Sequence, residues 1–275
     1  MTTDSLRALA VLRERGVTQP LDLGIVLGTG LGSIADDLTD AIVVPYPDLP
    51  GFPSGHVSGH VGQLAIGRLG GLPVAIMQGR AHYYEAGNPA AMASPLRTLA
   101  ALGVGTMMLT NSAGSVQPGW TPGTLALIAD HINVSGLNPL IGATADDRFV
   151  PLANAYDADL RSMLRAIAIE ARIEPLHEGT YMWFAGPSFE TPAEVRVAKL
   201  LGADLVGMST VPETILARQL GLRVVAVSVI TNFATSVSGG DPNHAETKAV
   251  ARLGSDALRR LTRGLAERLS QIKAA

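Results

Sequence analysis

The stretch Gly186-Pro187-Ser188-Phe189-Glu190-Thr191-Pro192-Ala193-Glu194 decides how this chain reads. It sets a carboxylate, Glu190, directly before a helix start. Thr191 caps, Pro192 suits the first helical position, and Glu194 closes a capping box. Ser209 repeats the design, with Thr210 as cap and Glu213 behind it. Two side chains thus stand where a strand hands over to a helix, the place where α/β proteins keep ligands. A single capping box is ordinary helix punctuation. Two of them, with Gly-rich and His/Arg-rich segments upstream, favour a functional reading.

Working outward, the same alternation fills the chain. A first helix is expected over Asp4–Arg15 and a short strand over Leu23–Leu27, ending in a Gly-rich turn. Val61–Leu69 and Leu72–Met77 read as a hairpin joined across Gly70-Gly71. A helix over Pro89–Leu102 leads to a strand, Val104–Leu109, that runs into a turn at Asn111–Gly114. Further strands are expected at Gly123–Ala129, Gly179–Ala185, Asp204–Val206 and Arg223–Ile230. Helices are expected over Asp157–Arg172, after Thr191, after Thr210 and from about His244. The last has an apolar stripe of Val250, Leu253, Ala257, Leu261, Leu265 and Leu269. Residues 136–154 read as a long loop, a length that often serves function. This pattern predicts one α/β domain over residues 1–275, with a central mixed sheet flanked by helices on both faces.

Composition narrows the function classes. Hydrophobic residues make up 47% of the 275 and charged ones 16%, enough for a large core. The formal net charge is −3 with no basic block, which argues against a nucleic-acid partner. Without a single Cys, thiolate catalysis, disulfides and Cys-ligated zinc are excluded, and a reducing cytoplasm is the expected home. The start of the chain lacks an apolar signal segment, and no membrane partner is expected. The uncharged run Thr98–Ala129 is cut by Pro118, Pro122 and several Gly, so it reads as buried strands and turns rather than a membrane span.

Gly28-Thr29-Gly30-Leu31-Gly32-Ser33 follows a strand and can aim backbone N–H groups at a phosphate. It lacks the Lys-Ser/Thr of a Walker loop. Ser33 stands where a dinucleotide fingerprint requires Gly, which disfavours a nicotinamide-dependent oxidoreductase. A plain tight turn is an equal reading. In Gln78-Gly79-Arg80-Ala81-His82, Arg80 and His82 share a strand side; a guanidinium forks onto phosphate and an imidazole adds a donor. His60 can add another. A metal site from His56, His60 and His82 has no carboxylate at ligand spacing and is discounted. Several anion donors, no Walker lysine and no acidic metal cluster suit free orthophosphate. Asn232, at the end of an apolar strand, pairs with Glu190 as a reader of purine edges.

With these residues in view, the chain resembles the trimeric purine nucleoside phosphorylases from about Gly24 to the C-terminal helix. The most specific stretches are Gly186–Thr191, Val206–Glu213, Gln78–His82 and Ile230-Thr231-Asn232. The resemblance implies a nucleoside phosphorylase fold, a homotrimer and no metal or cofactor, phosphate being a co-substrate. It implies a phosphate site of Thr29, His60, Arg80, His82, the Ser112 backbone and Ser209. It sets the ribose against Tyr84 and Met208, with His244 on the 5′-hydroxyl and Phe149 reaching over the neighbouring subunit's ribose. The purine would stack by Phe189 and bond Glu190 and Asn232, with Tyr181 and Val206 lining its pocket. Asn232, Glu190 and His82 would carry catalysis. Thr29 stands where the family often has Ser, Ser112 where Ala is common, and Phe233 and residues 234–243 are this chain's own. The activity implied is reversible phosphorolysis of 6-oxopurine nucleosides. The rivals are a methylthioadenosine phosphorylase or a xanthosine-preferring phosphorylase of the same fold, and a non-catalytic purine sensor.

Overall fold

A computed structural model describes residues 1–53, 61–237 and 243–274. Its centre is a sheet of nine strands: β1 (Leu23–Val26), β2 (Thr39–Pro45), β3 (Gln63–Leu69), β4 (Leu72–Met77), β5 (Thr106–Ser115), β6 (Leu125–Ile132), β7 (Leu176–Trp183), β8 (Leu205–Gly207) and β9 (Arg223–Phe233). The spatial order is β2-β3-β4-β1-β5-β8-β7-β6-β9, and β9 returns to pair with β5. Five strands, β5, β8, β7, β6 and β9, therefore close into a ring, while β1 to β4 extend from it as an open sheet. β4, β1, β5 and β9 run parallel, so their carboxyl ends point to one side. The β3–β4 hairpin turns at Gly70 and Gly71, both at positive φ.

Helices α1 (Thr3–Glu14), α2 (Tyr83–Ala86), α3 (Ala93–Ala101), α4 (Ala158–Glu170), α5 (Pro192–Leu200), α6 (Val211–Gln219) and α7 (His244–Ala274) complete the chain. Strand periodicity decides how they distribute. In β9, Val224 and Ala226 join one apolar cluster with α1, α3 and α6. Their neighbours Val225, Val227 and Val229 join another with α4 and α7. Successive side chains leave opposite faces, and both faces are buried, as parallel central strands require.

Three expectations need correction. The run Asn111–Gly114 is not a turn: β5 continues through Ser115, paired with β9 with one register shift between Ala113 and Gly114 that skips Thr231. Small polar residues mimic a turn, but here a neighbouring strand takes their backbone groups. Second, α7 buries Ala251, Gly254, Leu258, Leu261 and Leu265, while Leu253 is 71% exposed. The buried stripe is rotated because Gly254 lets the helix approach closely; a Cβ there would lie 2.6 Å from Val229 Cγ1. Third, the Gly-rich turn after β1 leads into a 3₁₀ helix, Gly32–Asp37, and β2 follows without having been anticipated. The long loop is as expected, with only a 3₁₀ turn at Asp146–Arg148.

Candidate active site

One cavity, open to solvent, gathers residues from seven segments of the chain. Thr29 comes from the turn after β1, Arg80 and His82 from the end of β4, and Ser112 from β5. Phe189 and Glu190 come from the β7–α5 handover, Val206, Met208 and Ser209 from the β8–α6 handover, and Asn232 from the end of β9. Tyr84 in α2 and His244 at the start of α7 complete this set. Carboxyl ends of parallel strands thus meet two strand-to-helix turns, the position such sheets reserve for ligands.

Local chemistry explains why the turns hold. Thr191 and Glu194 form the full capping box: Thr191 Oγ1 accepts from Glu194 N at 3.2 Å, and Glu194 Oε2 accepts from Thr191 N at 2.7 Å. In the second handover Glu213 Oε2 accepts from Thr210 N at 2.7 Å. Gly28 presses the first turn against β5, its N–H donating to Thr110 Oγ1 at 3.0 Å. A Cβ at Gly28 would lie 2.9 Å from Asn111 Cα, too close for any side chain. Gly186, at φ 68°, packs under Tyr84 and Met208 in the same way, fixing that wall of the cavity.

The anion-binding candidates meet through Thr210. Arg80 Nη1 lies 2.9 Å from Glu213 Oε1 and donates to Thr210 Oγ1 at 3.3 Å. Arg80 Nη2 donates to the carbonyls of Val26, at 3.2 Å, and Thr110. Asn111 Nδ2 donates to Thr210 Oγ1 at 2.9 Å, and Ser209 Oγ lies 3.2 Å from the same oxygen. Thr210 has φ 72°, a left-handed conformation that costs a β-branched residue about 1–3 kcal/mol. His82 is oriented by Glu85, whose Oε1 accepts from His82 N at 2.6 Å and lies 3.1 Å from Nδ1. Its ring stacks on Tyr84 with centroids 4.9 Å apart. Burial pushes the Tyr84 phenol up to about 12, so the stacked pair presents a neutral hydroxyl.

At the other group of residues, Glu190 is 7% exposed, and desolvation raises its carboxyl above the usual range. Asn232 Nδ2 donates to Phe233 O at 2.9 Å and its Oδ1 accepts from Thr231 Oγ1 at 2.9 Å. One amide N–H remains for a ligand. Gly114 makes room for this side chain, since a Cβ there would lie 3.1 Å from Asn232 Nδ2.

Two expected residues stand apart. Tyr181 is fully buried behind the wall rather than on it. Its hydroxyl accepts from Ser209 N at 3.3 Å and occupies the space a Gly207 side chain would need. Phe149 is 73% exposed, with the Arg148 guanidinium 4.7 Å above its ring, and does not line the cavity of its own chain. His60 and His56 lie outside the described residues. Asn111, Thr231 and Thr247 also line the cavity without having been assigned a role. The first two sit inside motifs that the sequence marked; Thr247 carries no signal beyond lying one helical turn after His244. Among the described residues no group of three or more His, Asp or Glu is placed to hold a metal ion. Nor is any described helix long and apolar enough to cross a membrane.

Fold and cavity together define an α/β protein with a solvent-open cavity at its strand ends, lined by Arg80, His82, Glu190 and Asn232. Comparison with known proteins makes this specific. Residues 22–267 match the phosphorylase superfamily. Purine nucleoside phosphorylase 1 of Geobacillus stearothermophilus is 41% identical over 257 residues, 92% of this chain and 93% of that one. A schistosoma purine nucleoside phosphorylase solved with hypoxanthine superposes with a TM-score of 0.89 at 35% identity, over 97% of both chains. Isoform 2 from Schistosoma mansoni, solved with cytosine and ribose-1-phosphate, gives 0.89 at 37% identity, over 97% of this chain and 96% of that one. The chain belongs to the phosphorylase superfamily and, within it, to the purine nucleoside phosphorylases.

Proposed function

We propose that this chain catalyses the reversible phosphorolysis of 6-oxopurine ribo- and deoxyribonucleosides, inosine and guanosine among them, in purine salvage. The products are the free base and α-(deoxy)ribose 1-phosphate. The observation that carries the reading is the convergence of Glu190 and Asn232 on the cavity that also holds Arg80, His82 and Ser209. The related schistosoma enzymes, solved with hypoxanthine and with ribose-1-phosphate, support it.

The hard step breaks the bond between C1′ and N9. It leaves an oxocarbenium-like sugar and an electron-rich purine. Phosphate held by Thr29, Arg80, His82, the Ser112 backbone and Ser209 stabilises the cation and captures it. We assign the same role to His60. Tyr84, Met208 and His244 hold the ribose. Phe189 stacks on the base beside Val206, and Glu190 accepts from its N1–H. The free Asn232 N–H donates to charge gathering at N7 and O6, a bond that strengthens as the leaving group departs. No side chain is needed as a nucleophile, and alignment supplies much of the rate. A 6-amino group would face that donor with another donor, which disfavours adenosine.

The assembly we propose is a homotrimer in which Phe149 completes a neighbour's ribose site. Its exposure, with Val134 and Ile141 in the same loop region, supports a covered apolar surface. The cytoplasm is the compartment we propose, a reading supported by the lack of Cys. The test of function is hypoxanthine release from inosine. It should require phosphate, with ribose 1-phosphate formed in equal amount; release that is indifferent to phosphate would overturn the proposal.

A further inference from the structure

We propose that Glu213 is a positioning residue of the anion site, fixing the Arg80 guanidinium and the Ser209 hydroxyl together; this rests on the phosphorolysis reading above. The chain supplies its own comparison. Glu194 and Glu213 occupy the same place in two capping boxes, each accepting from its cap residue's N–H at 2.7 Å. Glu194 is exposed, as a carboxylate that only caps a helix should be. The Glu213 side chain is 2% exposed. Burying a carboxylate is costly unless it is paired, so capping alone does not account for Glu213.

Its second oxygen supplies the account. Oε1 lies 2.9 Å from Arg80 Nη1, whose side chain is 1% exposed. The other fork of the guanidinium is held by the Val26 and Thr110 carbonyls. Glu213 and Thr210 therefore hold one fork and the β1 and β5 backbone holds the other. Thr210 itself sits at φ 72°, a conformation that persists only where its surroundings over-determine it. Those surroundings are Glu213 on its N–H, Thr214 on its carbonyl, and Asn111 and Arg80 on its hydroxyl. Ser209 is the residue before it, with its Oγ 3.2 Å from Thr210 Oγ1. One carboxylate thus reaches two anion donors. Glu190 and Asn232 take their positions from other segments and share no hydrogen bond with Glu213.

The deciding variant is Glu213→Gln, which keeps the volume and a capping acceptor but removes the charge. Steady-state kinetics with phosphate and inosine varied separately should give a phosphate KM raised about tenfold or more, with the inosine KM and hypoxanthine Kd within about twofold of the parent. Thr262→Val removes the buried Thr262 Oγ1 bond to the Leu258 carbonyl in α7, at a residue that does not line the cavity, and serves as the stability control. It should lower the melting temperature and leave the phosphate KM alone. An unchanged phosphate KM in Glu213→Gln overturns the proposal, as does an equal rise in both KM values matched by Thr262→Val. If Glu213→Gln does not fold, Glu213→Asp, one methylene short of Arg80, must raise the phosphate KM in the same selective way. Loss of phosphate-dependent turnover in the parent would sink the phosphorolysis reading instead. Calorimetric titration of phosphate into parent and variant would then still decide the role of Glu213.

Discussion

Replacing Asn232 with Asp changes one amide nitrogen to oxygen at the end of β9. Thr231 Oγ1 can still donate to Oδ1, so one half of the side chain keeps its 2.9 Å partner. The other half loses everything it offers. The donor to Phe233 O becomes an oxygen facing that carbonyl at 2.9 Å, and the N–H left for a ligand disappears. Removing one donor aimed at developing negative charge costs about 10²–10³ in kcat, roughly 2.7–4 kcal/mol of transition-state stabilisation. We expect kcat for inosine to fall by about that factor, while adenosine, whose 6-amino group can donate to a carboxylate, gains relative to inosine. The assay is steady-state phosphorolysis of both nucleosides at saturating phosphate, with thermal unfolding run alongside. A variant whose inosine kcat stays within about threefold of the parent would refute the role given to Asn232.

Three further outcomes follow from the same geometry. Arg80→Ala leaves Glu213 buried without its cation, so it should destabilise the fold by about 3–5 kcal/mol as well as raise the phosphate requirement; equilibrium denaturation reads the first, and a loss below about 1 kcal/mol would contradict the pairing. Glu190 has a carboxyl raised above 4.5 by burial, so the folded, ligand-free chain holds its proton more tightly than the unfolded chain. Its contribution to stability therefore falls as pH rises from 4.5 through the raised value. If Glu190 accepts from the base N1–H as proposed, hypoxanthine affinity should drop on acidification with a midpoint above 4.5 in calorimetric titrations; affinity that is flat down to 4.5 would contradict that role. Gly28→Ala forces a Cβ to within 2.9 Å of Asn111 Cα, where only backbone can yield. It should cost about 1–3 kcal/mol in thermal unfolding and weaken phosphate binding, and a neutral effect would mean that the turn is not pressed against β5.

The two strand-to-helix handovers were legible because capping chemistry is local: Thr191 and Glu194 bond each other whatever surrounds them. Periodicity located β9 and the hairpin for the same reason. What failed depended on distant partners. The residues Asn111–Gly114 look like a turn until β9 pairs with them. The buried face of α7 follows from a glycine meeting β9, not from the placement of its leucines. Glu213 reads as punctuation, and its ion pair with Arg80 joins residues 133 positions apart. Tyr181 was expected on the cavity wall, but whether a residue lines a cavity or stands one layer behind it depends on what packs in front. Here that is Gly207 and Ser209.

In the reaction proposed, one cavity holds an oxyanion beneath a sugar whose base is gripped by a carboxylate and a carboxamide. The most direct test is a crystal structure with hypoxanthine and sulfate bound together. Sulfate is expected among Thr29, Arg80, His82 and Ser209, with the base over Phe189 and within hydrogen-bond reach of both Glu190 and Asn232. Either ligand seated elsewhere, at occupancy that leaves this cavity empty, would contradict it.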